Sequence, residues 1–312
     1  MKKDLYASSY SDLKLVLRDD NASTEQRNKS TLVIKILTMI LTYAFLAFLG
    51  LIMIFPFYWM IITSLKNGIE IKRSVPTFWP EEIRWDNYAT AIEHIQFGTI
   101  VKNTLIVGIF STLGTLITTI LAAFAFARLE FKGKGVLFTI LLATMMIPGE
   151  MMVISNYVSV ALLGLTDGTA FNAYVAMIIP FMVSVFYIYL LRQNFKQIPN
   201  ELYLAAKVDG KSDWAFLWKV MVPLAMPTLT TILILKLMGT WNAYKWPDLI
   251  ASGNTDLYLI TNSLRNSFDL TNYEMQGPQM AAVIIVTIPL ILVFIFARKY
   301  IMKGVSRAGI KG

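Results

Sequence analysis

The chain has 312 residues, of which 56% are hydrophobic and 15% are charged, and its formal net charge is +8. This composition, arranged in several unbroken apolar runs, predicts an integral membrane protein of the all-α class and argues against a soluble domain. The sequence contains no cysteine and one histidine, His94, so thiolate ligands are excluded and no metal site is predicted. Its basic residues fall between the apolar runs, which is typical of a membrane-topology signal and not of a nucleic-acid-binding groove.

The apolar runs predict six transmembrane helices. Residues 1–35 are polar and are predicted to form an N-terminal tail, and residues 301–312 are predicted to form a short basic C-terminal tail. Residues 36–300 between them form the predicted transmembrane domain. The spans are predicted at 36–62, 100–127, 136–160, 173–191, 221–244 and 280–297.

Prolines interrupt three of these spans. Pro56 lies near the outer end of the first span, Pro148 and Gly149 lie within the third, and Pro180 lies within the fourth. Because proline lacks an N–H and its ring clashes with the preceding helical turn, kinks are predicted at all three places.

The distribution of positive charge orients the spans. Twenty lysines and arginines lie in the segments 1–35, 128–134, 192–219 and 298–311, whereas seven lie in the segments on the opposite side. An excess of Lys and Arg marks the cytoplasmic side of a membrane protein. Both termini and the segment 198–220 are therefore predicted to lie in the cytoplasm.

The segment 198–220 is mostly polar and is predicted to form a helix, a turn and a second short helix at the membrane surface. Pro199 suits the first turn of a helix. Asp209 and Gly210 suit its end, because glycine tolerates the left-handed conformation found there. Such a segment presents a small, firm surface to a soluble partner, so we name it the docking loop. No catalytic residue is predicted in it.

The letters D-G-K-S at Asp209 to Ser212 resemble the end of a phosphate-binding loop, but the rest of that motif is missing. Ala205 occupies the position of the required glycine, and a helix precedes the letters where a strand is required. No ATP site, and no other cofactor, is therefore predicted in this chain.

The docking loop also resembles the cytoplasmic loop of permease subunits in ABC importers, which carries the signature E-A-A-x-x-D-G. The matching residues are Ala205, Ala206, Asp209, Gly210, Pro223 and Pro227. Leu204 stands where the signature has glutamate. Glu201, one helical turn earlier, is placed to carry that charge on the same helix face.

Further stretches are similar to the carbohydrate-uptake branch of these permeases, in particular to the smaller, six-span permease of maltose-type importers. They include F-A-F-A-R-L-E-F-K-G-K, M-I-P-G-E, W-N-A-Y-K-W-P and the ending G-V-S-R-A-G-I-K-G. The resemblance implies a type I ABC importer permease fold in a bacterial inner membrane, in a chain that is not an enzyme. It also implies that the chain lies in a lipid bilayer and has four partners. These are a second permease in a heterodimer, two ATPase subunits that bind ATP and Mg, and an extracellular binding protein that delivers a sugar or oligosaccharide.

Two charged residues fall within predicted spans, Glu150 in the third and Lys236 in the fifth. Counted from the cytoplasmic span ends, each lies fifteen residues in, which is about 22 Å along a straight helix. Because a charge that faces lipid is costly, both are expected to face protein or water, and each other if they pair. A structural pair and a lining of the translocation path both remain open.

Trp241 and Asn242 lie near the outer end of the fifth span, close to Tyr244 and Trp246. Aromatic and amide groups here suit contact with a sugar on the translocation path. An aromatic belt that anchors the protein in the membrane interface is the other interpretation.

Two other classes of function remain. An ion-coupled secondary transporter would use Glu150 and Lys236 as coupling groups, but the sequence shows no second copy of any pair of spans. An intramembrane enzyme would need converging nucleophile, base or metal-ligand groups, for which the spans offer neither cysteine nor histidine.

Overall fold

Helices make up the regular secondary structure of the part of the chain described by the computed structural model, residues 3–269 and 271–309, and this part contains no strand. Side chains are described for residues 34–269 and 271–298. The helices are α1 (Lys3–Ser64), α2 (Gly68–Ile71), α3 (Asp86–His94), α4 (Phe97–Ala127), α5 (Lys134–Thr144), α6 (Val153–Leu162), α7 (Ala170–Ile178), α8 (Val185–Gln197), α9 (Asn200–Val208), α10 (Asp213–Phe216), α11 (Val222–Leu224), α12 (Met226–Trp241), α13 (Lys245–Ala251), α14 (Ile260–Asn266) and α15 (Tyr273–Gly309). The predicted all-α class is confirmed.

The apolar helices account for the predicted spans in two ways. Three of them are individually long and apolar enough to cross a membrane: Ile34–Ser64, Phe97–Ala127 and Tyr273–Arg298. Three further pairs pass the same test together but are bent: Lys134–Thr144 with Gly149–Leu162 by 89°, Ala170–Phe181 with Val185–Gln197 by 49°, and Asp213–Leu224 with Met226–Trp241 by 77°. The described helices therefore supply three spans, or up to six if each bent pair is one span.

Residues up to Met60 form one compact unit, and the rest of the chain forms a second. In the first unit, apolar side chains from Ile34 to Phe57 are exposed, as expected of a surface that faces lipid or another protein. Helix α1 continues through Pro56, so the proline does not end the span.

The predicted C-terminal tail, residues 301–312, continues α15 as far as Gly309. Its side chains lie outside the described part, as do those of residues 1–33.

Helix α4 lies at the centre of the second unit, where it packs against α8 and α12, and α15 packs against α12, α2 and α3. The side chain of Asn103 on α4 is fully buried. Its Nδ2 donates to the carbonyls of Asp256 (2.8 Å) and Tyr258 (3.0 Å), and its Oδ1 accepts from the hydroxyl of Tyr174 at 2.6 Å. One amide therefore joins α4, α7 and the predicted external segment before α14.

A second buried amide joins α3 to the chain at Ser64 and Lys66. Asn87 on α3 donates through Nδ2 to the carbonyls of Ser64 and Lys66, both at 2.9 Å. Gly277 on α15 lies so close that an added Cβ would stand 2.6 Å from this nitrogen and 2.9 Å from the Lys66 carbonyl oxygen. Only a residue without a side chain allows α15 this close to α3.

The break in the fourth span is stabilised by side chains of α4. Proline at position 180 and the turn that follows it leave carbonyls without a helical N–H partner. Thr115 Oγ1 donates to the Phe181 carbonyl at 3.1 Å, and Thr118 Oγ1 donates to the Met182 carbonyl at 2.6 Å. Ser184 then caps α8 by accepting from the Tyr187 N–H.

The fifth span differs from the sequence prediction, which placed it at 221–244. The helix already starts at Asp213, passes through a π-helical turn, Leu217–Met221, and bends at Ala225. Pro227, two residues after the bend, has no N–H to donate to the carbonyl four residues earlier, which explains why the helix does not continue straight.

Candidate functional site

The docking loop has the predicted helix, turn and second helix. Its first helix, Asn200–Val208, is terminated by a turn at Gly210, whose φ is +69°. In this turn the N–H of Gly210 donates to the Lys207 carbonyl (3.0 Å), and the N–H of Lys211 donates to the Ala206 carbonyl (2.9 Å). These two bonds form a Schellman motif, which satisfies carbonyls at the helix end. Pro199 lies one position before the first helical residue, at the N-cap.

A small network joins the two helices of the docking loop. Asp213 at the start of the second helix accepts a hydrogen bond from the Tyr203 hydroxyl and pairs with Lys207 Nζ, both at 2.7 Å. The hydrogen bond to Asp213 raises the pKa of Lys207. The Tyr203 ring meets the buried Phe216 ring edge-on at 5.2 Å. This network was not predicted from the sequence, although an Asp six residues after a Lys across a glycine turn is a usable signal.

One face of the first docking-loop helix, Asn200–Val208, is exposed to solvent. Glu201, Leu204, Ala205 and Asp209 are exposed, whereas Ala206 is half-buried against the core beneath. Leu204 is 56% exposed and Val208, which lies one turn further along the same face, is 88% exposed. An exposed leucine and valine at this spacing, beside a carboxylate, suit contact with another protein. Val208 was not predicted to belong to this exposed face, although its spacing of four residues from Leu204 indicates that it does.

Arg128 connects the docking loop to the membrane helices. It follows α4 directly and donates through Nη2 to the carbonyls of Phe195 (2.9 Å) and Ile198, and through Nη1 to Asn200 Oδ1 at 3.2 Å. The guanidinium therefore binds the end of α8, the link after it and the start of α9 at the same time. From the sequence, Arg128 was counted only as a topology marker.

A cavity of about 440 Å³ opens between the broken fourth and fifth spans and α4. Its size is typical of ligand pockets, which run from roughly 300 to 1,000 Å³. The lining includes Ser111 from α4, Ser184 and Tyr187 from α8, Lys236 and Thr240 from α12, and the aromatic residues Phe181, Tyr244 and Trp246.

Glu150 and Lys236 have separate partners. Glu150 Oε1 pairs with Lys245 Nζ at 2.8 Å, and Lys236 Nζ donates to the Phe181 carbonyl at 3.0 Å. The two residues were predicted to lie at equal depth and to face each other, and this prediction assumed straight helices. That assumption was wrong, because the third and fifth spans are bent by 89° and 77°.

Trp241 at the end of α12 and Trp246 on α13 turn into the protein, whereas Asn242 between them is exposed. Trp246 is 6% exposed, and its Nε1 donates to the Ala176 carbonyl at 3.1 Å. Trp241 is half-buried and donates to the Val286 carbonyl at 3.3 Å, and Asn242 Nδ2 donates to the Met238 carbonyl at 2.8 Å. The interpretation as an interfacial belt was therefore wrong for Trp246, which lines the cavity, while neither Trp241 nor Asn242 is among the described residues that line it.

The sequence over residues 114–307 matches the family described as "binding-protein-dependent transport system inner membrane component". This match covers more than half of the chain and includes the docking loop and most of the cavity lining. The chain belongs to this family. It is thus a multi-pass component of the inner membrane and a transport subunit, not an enzyme, and the ion-coupled alternative is not supported.

Curated relatives of similar length share the sequence along most of the chain. A probable ABC transporter permease protein, MG189 of Mycoplasma genitalium, is 29% identical over 279 residues, which cover 87% of each chain. The permease protein AraQ of the Bacillus subtilis arabinooligosaccharide transport system is 28% identical over 275 residues, which cover 86% of this chain and 94% of AraQ.

A solved structure has the same fold. It is a bacterial ABC transporter involved in the import of the acidic polysaccharide alginate, and the matched chain superposes with a TM-score of 0.73 at 26% identity. The superposition covers 84% of this chain and 95% of that chain.

Proposed function

We propose that this chain is one half of a heterodimeric pore in an ATP-driven importer of a sugar or oligosaccharide. An extracellular binding protein delivers the substrate, and two ATPase subunits, which hold the ATP and Mg, drive the cycle. The chain crosses the membrane six times with both termini in the cytoplasm. The observation that carries the proposal is the family match over residues 114–307, and the saccharide class is supported by the substrates of AraQ and of the alginate importer.

The docking loop is the part that receives the ATPase. Its exposed face, with Leu204 and Val208, fits a cleft on a soluble subunit, and its internal network keeps the two helices together when that subunit moves. Movement then passes through Arg128 to the ends of α4 and α8. The chain itself carries out no covalent chemistry.

The translocation path is the second part of the proposal. The cavity between the fourth and fifth spans lies on it, so Lys236 faces the path directly. Glu150, Trp241 and Asn242 are proposed to border the path near its external end, where Lys245 pairs with Glu150.

The test is recovery of partners from detergent-solubilised native membranes through a tag on the N-terminal tail. The wild type should bring down an ATPase, a second permease and, with substrate, a binding protein. Gly210→Pro should lose the ATPase, because proline cannot adopt φ +69° and removes the N–H that bonds to Lys207. Gly164→Pro is the matched control, since Gly164 also has positive φ (+72°) but lies in a turn between the third and fourth spans.

A second variant covers the case in which Gly210→Pro does not fold. Val208→Asp leaves the turn intact and places a charge on the most exposed apolar side chain of the docking helix. Loss of the ATPase with retention of the second permease supports the proposal. If the wild-type chain is recovered alone, or if both variants keep the ATPase, the proposal is wrong.

A further inference from the structure

Lys236 brings a full positive charge into the cavity. Among the described residues that line it, Lys236 alone is charged at neutral pH. None of the ion pairs formed by the described residues includes it. An ionisable side chain within a membrane span is costly to keep unless it has a function or a partner.

Lys236 makes its structural contacts with Phe181, and its Nζ lies 5.9 Å from the centre of that ring, at the outer limit of a cation–π contact. Its Nζ donates one hydrogen bond to the Phe181 carbonyl, which the break in the fourth span leaves exposed. The hydroxyl of Thr115 already donates to this carbonyl from α4. An ammonium has three donors, so two remain for the cavity.

The rest of the lining suits the body of a saccharide. The rings of Phe181 and Trp246 meet edge-on, with centroids 5.6 Å apart, and offer apolar faces. Hydroxyls of Ser111, Ser184 and Thr240 supply donors and acceptors around them. A mostly apolar pocket with a few placed polar groups is the usual form of a small-molecule site.

We propose that the cavity selects a saccharide that carries a carboxylate, with Lys236 as the residue that binds the carboxylate. This inference rests on the proposed function and names the substrate class of the same path. A charge-assisted hydrogen bond between the ammonium and a uronate group supplies the missing counter-charge and is about twice as strong as a neutral one. A neutral saccharide entering the cavity leaves Lys236 without a counter-charge.

Carboxylate fits this cavity better than phosphate does. One lysine supplies one unit of positive charge, which a uronate matches. A phosphate monoester carries about 1.5 to 2 negative charges at pH 7. The described lining holds no second cation and no arginine to compensate the remainder.

The test uses the complete importer, with the partner subunits and binding protein recovered as described above, in proteoliposomes with internal ATP. Three classes of probe are offered. The first is uronate trisaccharides, from polygalacturonate, alginate and glucuronan. The second is neutral trisaccharides, from starch, galactan and mannan, and the third is a phosphorylated sugar, lactose 6-phosphate. Uptake is measured by mass spectrometry of the vesicle contents and normalised to assembled importer. The variants are Lys236→Gln, Lys236→Met and Lys236→Arg. Lys132→Gln, the same change at an exposed cytoplasmic lysine, is the control.

The expected result is uptake of the uronate trisaccharides. We expect uptake to fall at least tenfold in Lys236→Gln and Lys236→Met, to be kept largely by Lys236→Arg, and to be unchanged in Lys132→Gln. Three outcomes overturn the inference and leave the proposed function standing. They are uptake of only the neutral trisaccharides, a preference for the phosphorylated sugar, and uronate uptake that survives in both Lys236→Gln and Lys236→Met. If the wild type accumulates none of the probes, the saccharide function fails together with the inference.

Discussion

Arg128 Nη2 lies 2.9 Å from the carbonyl oxygen of Phe195, and the same nitrogen also donates to Ile198. An arginine at the end of α4 therefore closes the end of α8, three residues before the docking helix begins. Because carbonyls at a helix end lack intrahelical donors, a guanidinium is a well-suited partner there. A single side chain therefore lies between the docking loop and two helices that border the cavity, α4 and α8.

Arg128→Gln is expected to uncouple ATP hydrolysis from transport. Each hydrogen bond to a charged group contributes about 1.5–3 kcal/mol, so loss of the guanidinium leaves the docking loop attached but less firmly placed. The ATPase should still copurify, while the number of substrate molecules transported per ATP falls at least fivefold. Lys132→Gln, four residues further along the turn that follows α4, should leave this ratio unchanged. Equal loss of transport and ATPase activity would mean that Arg128 serves folding alone.

Glu201 is predicted to take the place of the glutamate that Leu204 replaces in the docking signature. Both side chains are exposed and lie three residues apart on one helix face. Glu201→Gln should weaken ATPase binding about fivefold, the upper range for an exposed ion pair. Adding Leu204→Glu should restore the affinity, measured by titrating purified ATPase onto the solubilised permease. A double variant as weak as Glu201→Gln would argue against the substitution of one carboxylate by the other.

Gly277→Ala is expected to destabilise the packing of α15 against α3. The new Cβ would stand 2.6 Å from Asn87 Nδ2 and 2.9 Å from a backbone oxygen, so α15 must move away from α3. Overpacking of this kind costs about 1–3 kcal/mol. The thermal midpoint of the solubilised complex should drop clearly, whereas Gly135→Ala should not lower it, because no atom lies within 4 Å of a Cβ there. An unchanged midpoint in Gly277→Ala would contradict the close packing.

Glu150 and Lys245 are expected to act as one unit in transport, separately from Lys236. Reversing either charge, by Glu150→Lys or Lys245→Glu, should lower the uptake rate, and combining the two reversals should recover most of it. Combining Glu150→Gln with Lys236→Gln should multiply the single effects, because the two residues share no partner. A strong non-additive effect between Glu150 and Lys236 would show that they pair in another state of the cycle.

The sequence predicted the helical class and the approximate positions of the apolar helices, apart from the start and the bend of the fifth span, because lipid requires long apolar runs and helical backbone. Glycine and proline also revealed the end of the docking helix and the breaks at Pro148 and Pro180. Each of these features depends on neighbours in sequence, and each was therefore accessible without a structure.

The partners of Glu150 and Lys236 were not accessible in this way. Depth along a span was counted as if the helices were straight, and a bend of 77° or 89° removes the basis for that count. The bend at Ala225 depends on Pro227, whose effect on direction the sequence does not quantify. Arg128 was missed for a related reason, since two of its three acceptors are backbone carbonyls, which no side-chain pattern reveals.

The hydroxyls of Thr115 and Thr118 give the broken fourth span a mechanical property. A straight helix resists bending through its whole ladder of backbone bonds, whereas this elbow is retained by a few side-chain bonds at Phe181 and Met182. At about 0.5–1.5 kcal/mol net for each bond, thermal motion is enough to exchange them one at a time. The elbow can therefore change its angle at the cost of a few such bonds, while the backbone ladders of α7 and α8 stay intact.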